Sequence, residues 1–142
     1  MFNKVLLATD GSDNALAATE YAVKLKRHHP DATVIVLHVY KVPNLREYDA
    51  HVSIENAYRK RAEEVVNEAA ALFEKENLAV EKVCLPGDPG EMICQYAREE
   101  NCDHIIIGAT GHSQLGALLF GSVARKVTRL AGCPVILICK SC

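Results

Sequence analysis

The sequence predicts a doubly wound α/β fold: a parallel sheet with helices packed on both faces. Three observations predict it. Short apolar runs rich in β-branched residues alternate with segments of helical period along the whole chain. The runs lack the in/out polar alternation of a half-exposed sheet, so they read as strands buried on both faces. Glycine-bearing polar turns follow three of these runs, where such folds bind ligands.

The first run, Lys4 to Thr9, ends at Asp10-Gly11-Ser12. Ser12 or Asp13 can cap a helix carrying Ala15, Leu16, Ala18, Ala22, Val23 and Leu25, closed by His28-His29-Pro30. Thr33 to Val39 is the second strand. A looser stretch, Tyr40 to Val52, contains Pro43. Ser53 then offers a cap for a long helix with Ile54, Tyr58, Ala62, Val65, Ala69, Leu72 and Phe73 on one face. Val80 to Leu85 is the third strand and Pro86 to Gly90 a turn. A helix from about Glu91 to Asn101 buries Ile93, Cys94 and Ala97. His104 to Ile107 is the fourth strand, opening onto Gly108. A helix over Ser122 to Ala131, with Val123, Val127 and Leu130 on one side, leads through Pro134 to a last strand, Val135 to Cys139. Right-handed crossovers complete the doubly wound arrangement. With no repeat, low-complexity tract or linker, residues 1–142 are expected to form one domain.

Composition narrows the function. Sixteen basic residues face eighteen acidic ones, which gives no field for a nucleic-acid backbone. The basic residues are unevenly placed: from Asn101 onward stand Arg125, Lys126, Arg129 and Lys140 against Asp103 alone. This stretch suits a small anion or a solvated helix face. No apolar stretch reaches the roughly 18 residues of a membrane span, and the amino-terminal run is too short for a signal segment. A cytoplasmic protein is the expectation. Six cysteines are present. Only Cys139 and Cys142 have C-x-x-C spacing, with no helix after them to stabilise a thiolate. Free thiols in a reducing compartment are expected, and no zinc site.

The motif that carries most chemistry is Gly108-Ala109-Thr110-Gly111, then nine residues, then Gly121-Ser122. Gly108 and Gly111 let backbone N–H groups approach phosphate oxygens. Gly121 and Ser122 open a helix, where free N–H groups and the dipole attract an anion. The stretch is neither a Walker A loop nor G-x-G-x-x-G, so a conventional dinucleotide enzyme is disfavoured.

The pattern G-x2-G-x9-G-[ST] resembles the nucleotide-binding signature of the ATP-binding branch of the universal stress proteins. Gly108, Gly111, Gly121 and Ser122 match it, and Val123 and Cys133-Pro134-Val135 continue the match. Lys4 to Ser12, Leu37-His38-Val39 and Gly87-Asp88-Pro89 resemble other parts of the family pattern. The resemblance implies a five-stranded sheet in the order 3-2-1-4-5, a Rossmann-like adenine nucleotide fold. It implies ATP as ligand, with Mg or Mn held at Asp10 beside Thr9. It places Val39 against the adenine and Gly87 at the border of the base pocket. Gly108, Gly111, Gly121, Ser122 and Val123 become the ribose and phosphate contacts. His112 stands where many relatives carry Arg or Lys, so phosphate affinity is expected to rise as this imidazole gains its proton. The resemblance also implies a homodimer through Val135–Cys139.

Three functions remain open at this point: a nucleotide-dependent stress or signalling regulator, a slow ATP hydrolase, and a ligand-free interaction module. Efficient turnover is disfavoured, because no catalytic base or loop lysine stands beside the phosphate site.

Overall fold

The computed structural model describes residues 1–43, 48–109 and 121–139. Five strands and four helices alternate: β1 Lys4–Ala8, α1 Asp13–His28, β2 Thr33–Tyr40, α2 Tyr48–Glu74, β3 Glu81–Pro86, α3 Pro89–Glu99, β4 His104–Gly108, α4 Ser122–Leu130 and β5 Val135–Ile138. All strand pairs are parallel, in the order β3-β2-β1-β4-β5. This is the sheet order that the resemblance implies.

The period-2 geometry of β1 divides the core. Val5 and Leu7 face one way and pack with Ala18, Ala22 and Val23 of α1 and Val66, Ala69 and Phe73 of α2. Leu6 and Ala8 face the other way and pack with Ile93 and Ala97 of α3 and Val127 of α4. Both faces of β1 are therefore dry, which explains its unbroken apolar run.

Local chemistry sets the helix ends. Ser12 caps α1 by accepting from the Ala15 N–H. At the other end of α1, Lys26 folds back and donates from Nζ to the Pro30 carbonyl at 2.8 Å. The helices α2 and α3 both close on an asparagine in the left-handed region, Asn77 (φ 58°) and Asn101 (φ 56°). The next N–H reaches back five residues in each case, Leu78 to Phe73 at 3.0 Å and Cys102 to Ala97 at 2.8 Å. Both are Schellman closures.

Three expectations need correction. The helix α2 begins at Tyr48, so Ser53 lies within it and is no cap. The buried positions of α2 run from Ala62 through Val65, Val66, Ala69 and Ala70 to Phe73, and Tyr58 is 40% exposed. Leu16 and Leu130 also sit outside the core, 47% and 40% exposed. Among the described residues no helix is long and apolar enough to cross a membrane.

Candidate functional site

The sheet reverses direction of growth between β1 and β4, and doubly wound folds open a crevice at that switch. A cavity of about 380 Å³ lies there. Its floor is the carboxyl ends of β1 and β4, from Ala8, Thr9, Ile107 and Gly108. Val39 of β2 and Pro89 and Ile93 of α3 add apolar surface, and the first turns of α1 and α4 close the sides.

The turn after β1 is held from several directions. The Thr9 N–H donates to the Leu37 carbonyl at 3.0 Å. His38 Nδ1 lies 2.7 Å from the Thr9 carbonyl, tying β2 to the turn. The Gly11 N–H donates to Thr9 Oγ1, and the Ser12 N–H to Asp10 Oδ1 at 2.9 Å. Gly11 takes φ 80°, a conformation that disfavours other residues. Asp10 thereby spends one oxygen on the turn and directs an exposed carboxylate to the cavity rim.

The amino terminus of α4 supplies the opposite chemistry. Gly121 is its N-cap and offers no side chain to the first turn, unlike Ser12 at α1 and Asp88 at α3. Gly121, Ser122, Val123 and Ala124 all line the cavity. The first N–H groups of a helix without a side-chain cap are donors for an anion.

Gly108 has a different reason to be glycine from the one its motif suggests. A Cβ there would stand 2.5 Å from the Asn14 carbonyl oxygen and 2.7 Å from its carbon. The end of β4 thus lies directly on the first turn of α1, and this close approach shapes the cavity floor.

A cluster of charges braces α4. Asp88 accepts from the Glu91 N–H as the N-cap of α3. It also takes Lys126 Nζ at 3.0 Å, with Lys41 at 3.6 Å, and Glu91 meets Lys126 at 3.3 Å. The hydrogen bond from Lys126 holds the Asp88 carboxyl below the ordinary carboxylate range, and that carboxylate raises the ammonium in return. The Lys126 stem crosses Gly90, where a Cβ would stand 2.6 to 2.9 Å from three of its carbons.

Of the residues singled out from the sequence, the structure brings Thr9, Asp10, Val39, Gly108, Gly121, Ser122 and Val123 to one cavity. Gly87 is not among the described lining residues. It forms the turn (φ 142°) and donates its N–H to the Tyr40 carbonyl at 2.9 Å. Gly111 and His112 lie outside the described residues. Sequence reasoning missed Asn14, Ala15, Pro89, Ile93 and Ala124 in the lining and His38 behind it. The signal for most of them was position: first-turn residues of helices that follow the motif turns. For His38 the signals were a polar side chain inside an apolar strand and its place in the Leu37-His38-Val39 match.

With its cavity at the β1/β4 switch, faced by a helix with no side-chain cap, this chain is a doubly wound α/β protein of Rossmann-like order. It belongs to the universal stress protein family, whose model matches residues 1–138. A universal stress protein of Thermus aquaticus is 37% identical, covering 97% of this chain and 99% of its own. The solved structure of a Methanocaldococcus jannaschii relative is 26% identical and superposes with a TM-score of 0.84, over 99% of this chain and 98% of that one. The universal stress protein of Archaeoglobus fulgidus, solved in complex with dAMP, is 27% identical with a TM-score of 0.67, over 97% and 98%.

Proposed function

We propose that the cavity holds an adenine nucleotide, ATP in the working protein, and that the protein acts as a nucleotide-dependent stress or signalling regulator in the cytoplasm. One observation carries the proposal: the crevice at the switch point is apolar at one end and faces the uncapped turn of α4 at the other. A base with a phosphate chain has the same two-ended character. About 380 Å³ falls within the usual range for small-ligand sites. The dAMP complex of the Archaeoglobus fulgidus relative supports the same reading.

In this reading Val39, Pro89 and Ile93 sandwich the base. The N–H groups at Ser122 and Val123, with the Ser122 hydroxyl, take phosphate, and Gly108, Gly111 and His112 complete the set around the ribose and phosphates. Among the described residues no three His, Cys, Asp or Glu side chains converge on a metal site. A Mg or Mn ion at Asp10 would therefore complete its shell from phosphate oxygens and water. Two such domains pair through β5.

Calorimetry tests the site. ATP is expected to bind the wild type and to lose at least tenfold in affinity in Gly121→Val, which puts a branched side chain at the phosphate end. Equal affinity in the two proteins rejects the assignment.

A further inference from the structure

The exposed face of α4 continues the site. Ser122, Arg125, Lys126 and Arg129 fall at i, i+3, i+4 and i+7, one stripe on the helix. Ala124 and Val127 are buried away from it. Among the described residues these four line a groove of about 510 Å³. Ser122 also lines the nucleotide cavity, so the two spaces meet at the first turn of α4.

The three cations of the stripe are not equivalent. Lys126 is already neutralised by Asp88 and Glu91. Arg125 and Arg129 are exposed and make no ion pair among the described residues. Two like charges four apart on a helix repel each other. No acidic residue stands within α4 to relieve them. An anion lying along the groove would.

We propose that this groove is a second anion subsite, taking the distal phosphoryl groups of a nucleoside polyphosphate, with Arg125 and Arg129 as its ligands. The proposal rests on the nucleotide reading of the first cavity and adds a selectivity to it. The α-phosphate would stay at the N–H groups of α4, and the chain beyond it would run along the helix. From Ser122 to Arg129 the helix rises about 10 Å, with one guanidinium per turn. Guanidinium forks bind phosphate bidentately, which a lysine cannot reproduce. The site therefore discriminates by phosphate number: the base and first phosphate supply a common affinity, and the arginines supply the increment for each further group.

Calorimetry with AMP, ATP, adenosine 5′-tetraphosphate and inorganic tripolyphosphate separates the two cavities. The proteins are the wild type and Arg125→Gln/Arg129→Gln, with thermal unfolding as the check on folding. The wild type should bind more tightly as phosphates are added. The double variant should keep its AMP affinity within about twofold and lose about tenfold for the tetraphosphate. The single variant Arg129→Glu should lose affinity for the tetraphosphate while AMP is unaffected. Normal AMP binding with an unchanged ratio between AMP and tetraphosphate in the double variant overturns the subsite alone, leaving the arginines as a solvated face. Tripolyphosphate affinity that is the same in the wild type and the double variant overturns it too, since the N–H groups of α4 alone would then account for the binding. Failure of the wild type to bind AMP removes the nucleotide reading and this one with it.

Discussion

Gly108 shows how a residue can be read correctly and explained incompletely. Its place in a glycine pattern suggests a backbone opened toward phosphate. The structure adds a steric demand from behind, the Asn14 carbonyl 2.5 Å from where a Cβ would sit. No sequence rule reveals that approach, because it joins β4 to a helix that precedes it by some ninety residues. Gly108→Ala is expected to destabilise the fold by about 2 kcal/mol through overpacking and to weaken nucleotide binding as the floor shifts. Denaturant unfolding reads the first effect and calorimetry the second. The cysteines give a second test at this scale. Burial pushes the Cys102 thiol up to about 11 and raises Cys84, Cys94 and Cys133 as well. The reactive thiolate is correspondingly scarce. At pH 8 an alkylating reagent should modify Cys102 about a hundredfold more slowly in the native protein than in urea. Rapid native labelling at Cys102, located by peptide mass mapping, would contradict its burial.

Elements were legible where burial made their pattern uniform. The apolar runs of β1, β2 and β4 announced themselves because both faces of each are covered. The start of α2 did not, because Ser53 has the side chain of a helix cap and yet stands inside the helix, which begins at Tyr48. The join between β1 and β4 was equally silent in the sequence. There Asp103 accepts from the backbone N–H groups of Asn3 and Lys4 at 2.9 and 2.6 Å, and lies 2.6 Å from His104 Nδ1. Partial burial alone would raise this carboxyl, but the hydrogen bonds outweigh it and hold the group below its ordinary range. A depressed carboxyl stabilises the fold above its unfolded pKa, and that contribution is lost as pH falls through the folded one. Acid unfolding of the wild type should therefore steepen below about pH 4. Asp103→Asn should be less stable at pH 7, by about 2 kcal/mol, and should lack that part of the acid slope. Superimposable acid curves for the two proteins would show that the tie contributes nothing.

The two edges of the whole sheet are built differently, and that difference decides how copies of the molecule should meet. The β3 edge carries Glu81 and Lys82, both exposed, and ends in Pro86, the devices that discourage strand addition. The β5 edge has none of them: Val135, Ile136, Leu137 and Ile138 are apolar and half-buried throughout. Its own register shows what remains unpaired. Ile105 donates to the Pro134 carbonyl and Ala109 to the Ile138 carbonyl, so the even-numbered residues bond to β4. The backbone groups of Val135 and Leu137 then face outward. A two-fold partner strand would satisfy those groups and cover the side chains, and a closed contact of this kind stops further growth. The expected outcome is a homodimer at micromolar concentration, measured by sedimentation with and without ATP. Leu137→Pro removes an outward N–H and leaves the β4 ladder intact, a position where an edge strand tolerates proline. That variant should sediment as a folded monomer, with its circular dichroism unchanged. A dimer that persists in Leu137→Pro would move the interface to another surface, and a wild-type monomer under both conditions would leave the bare β5 edge without the partner its composition calls for.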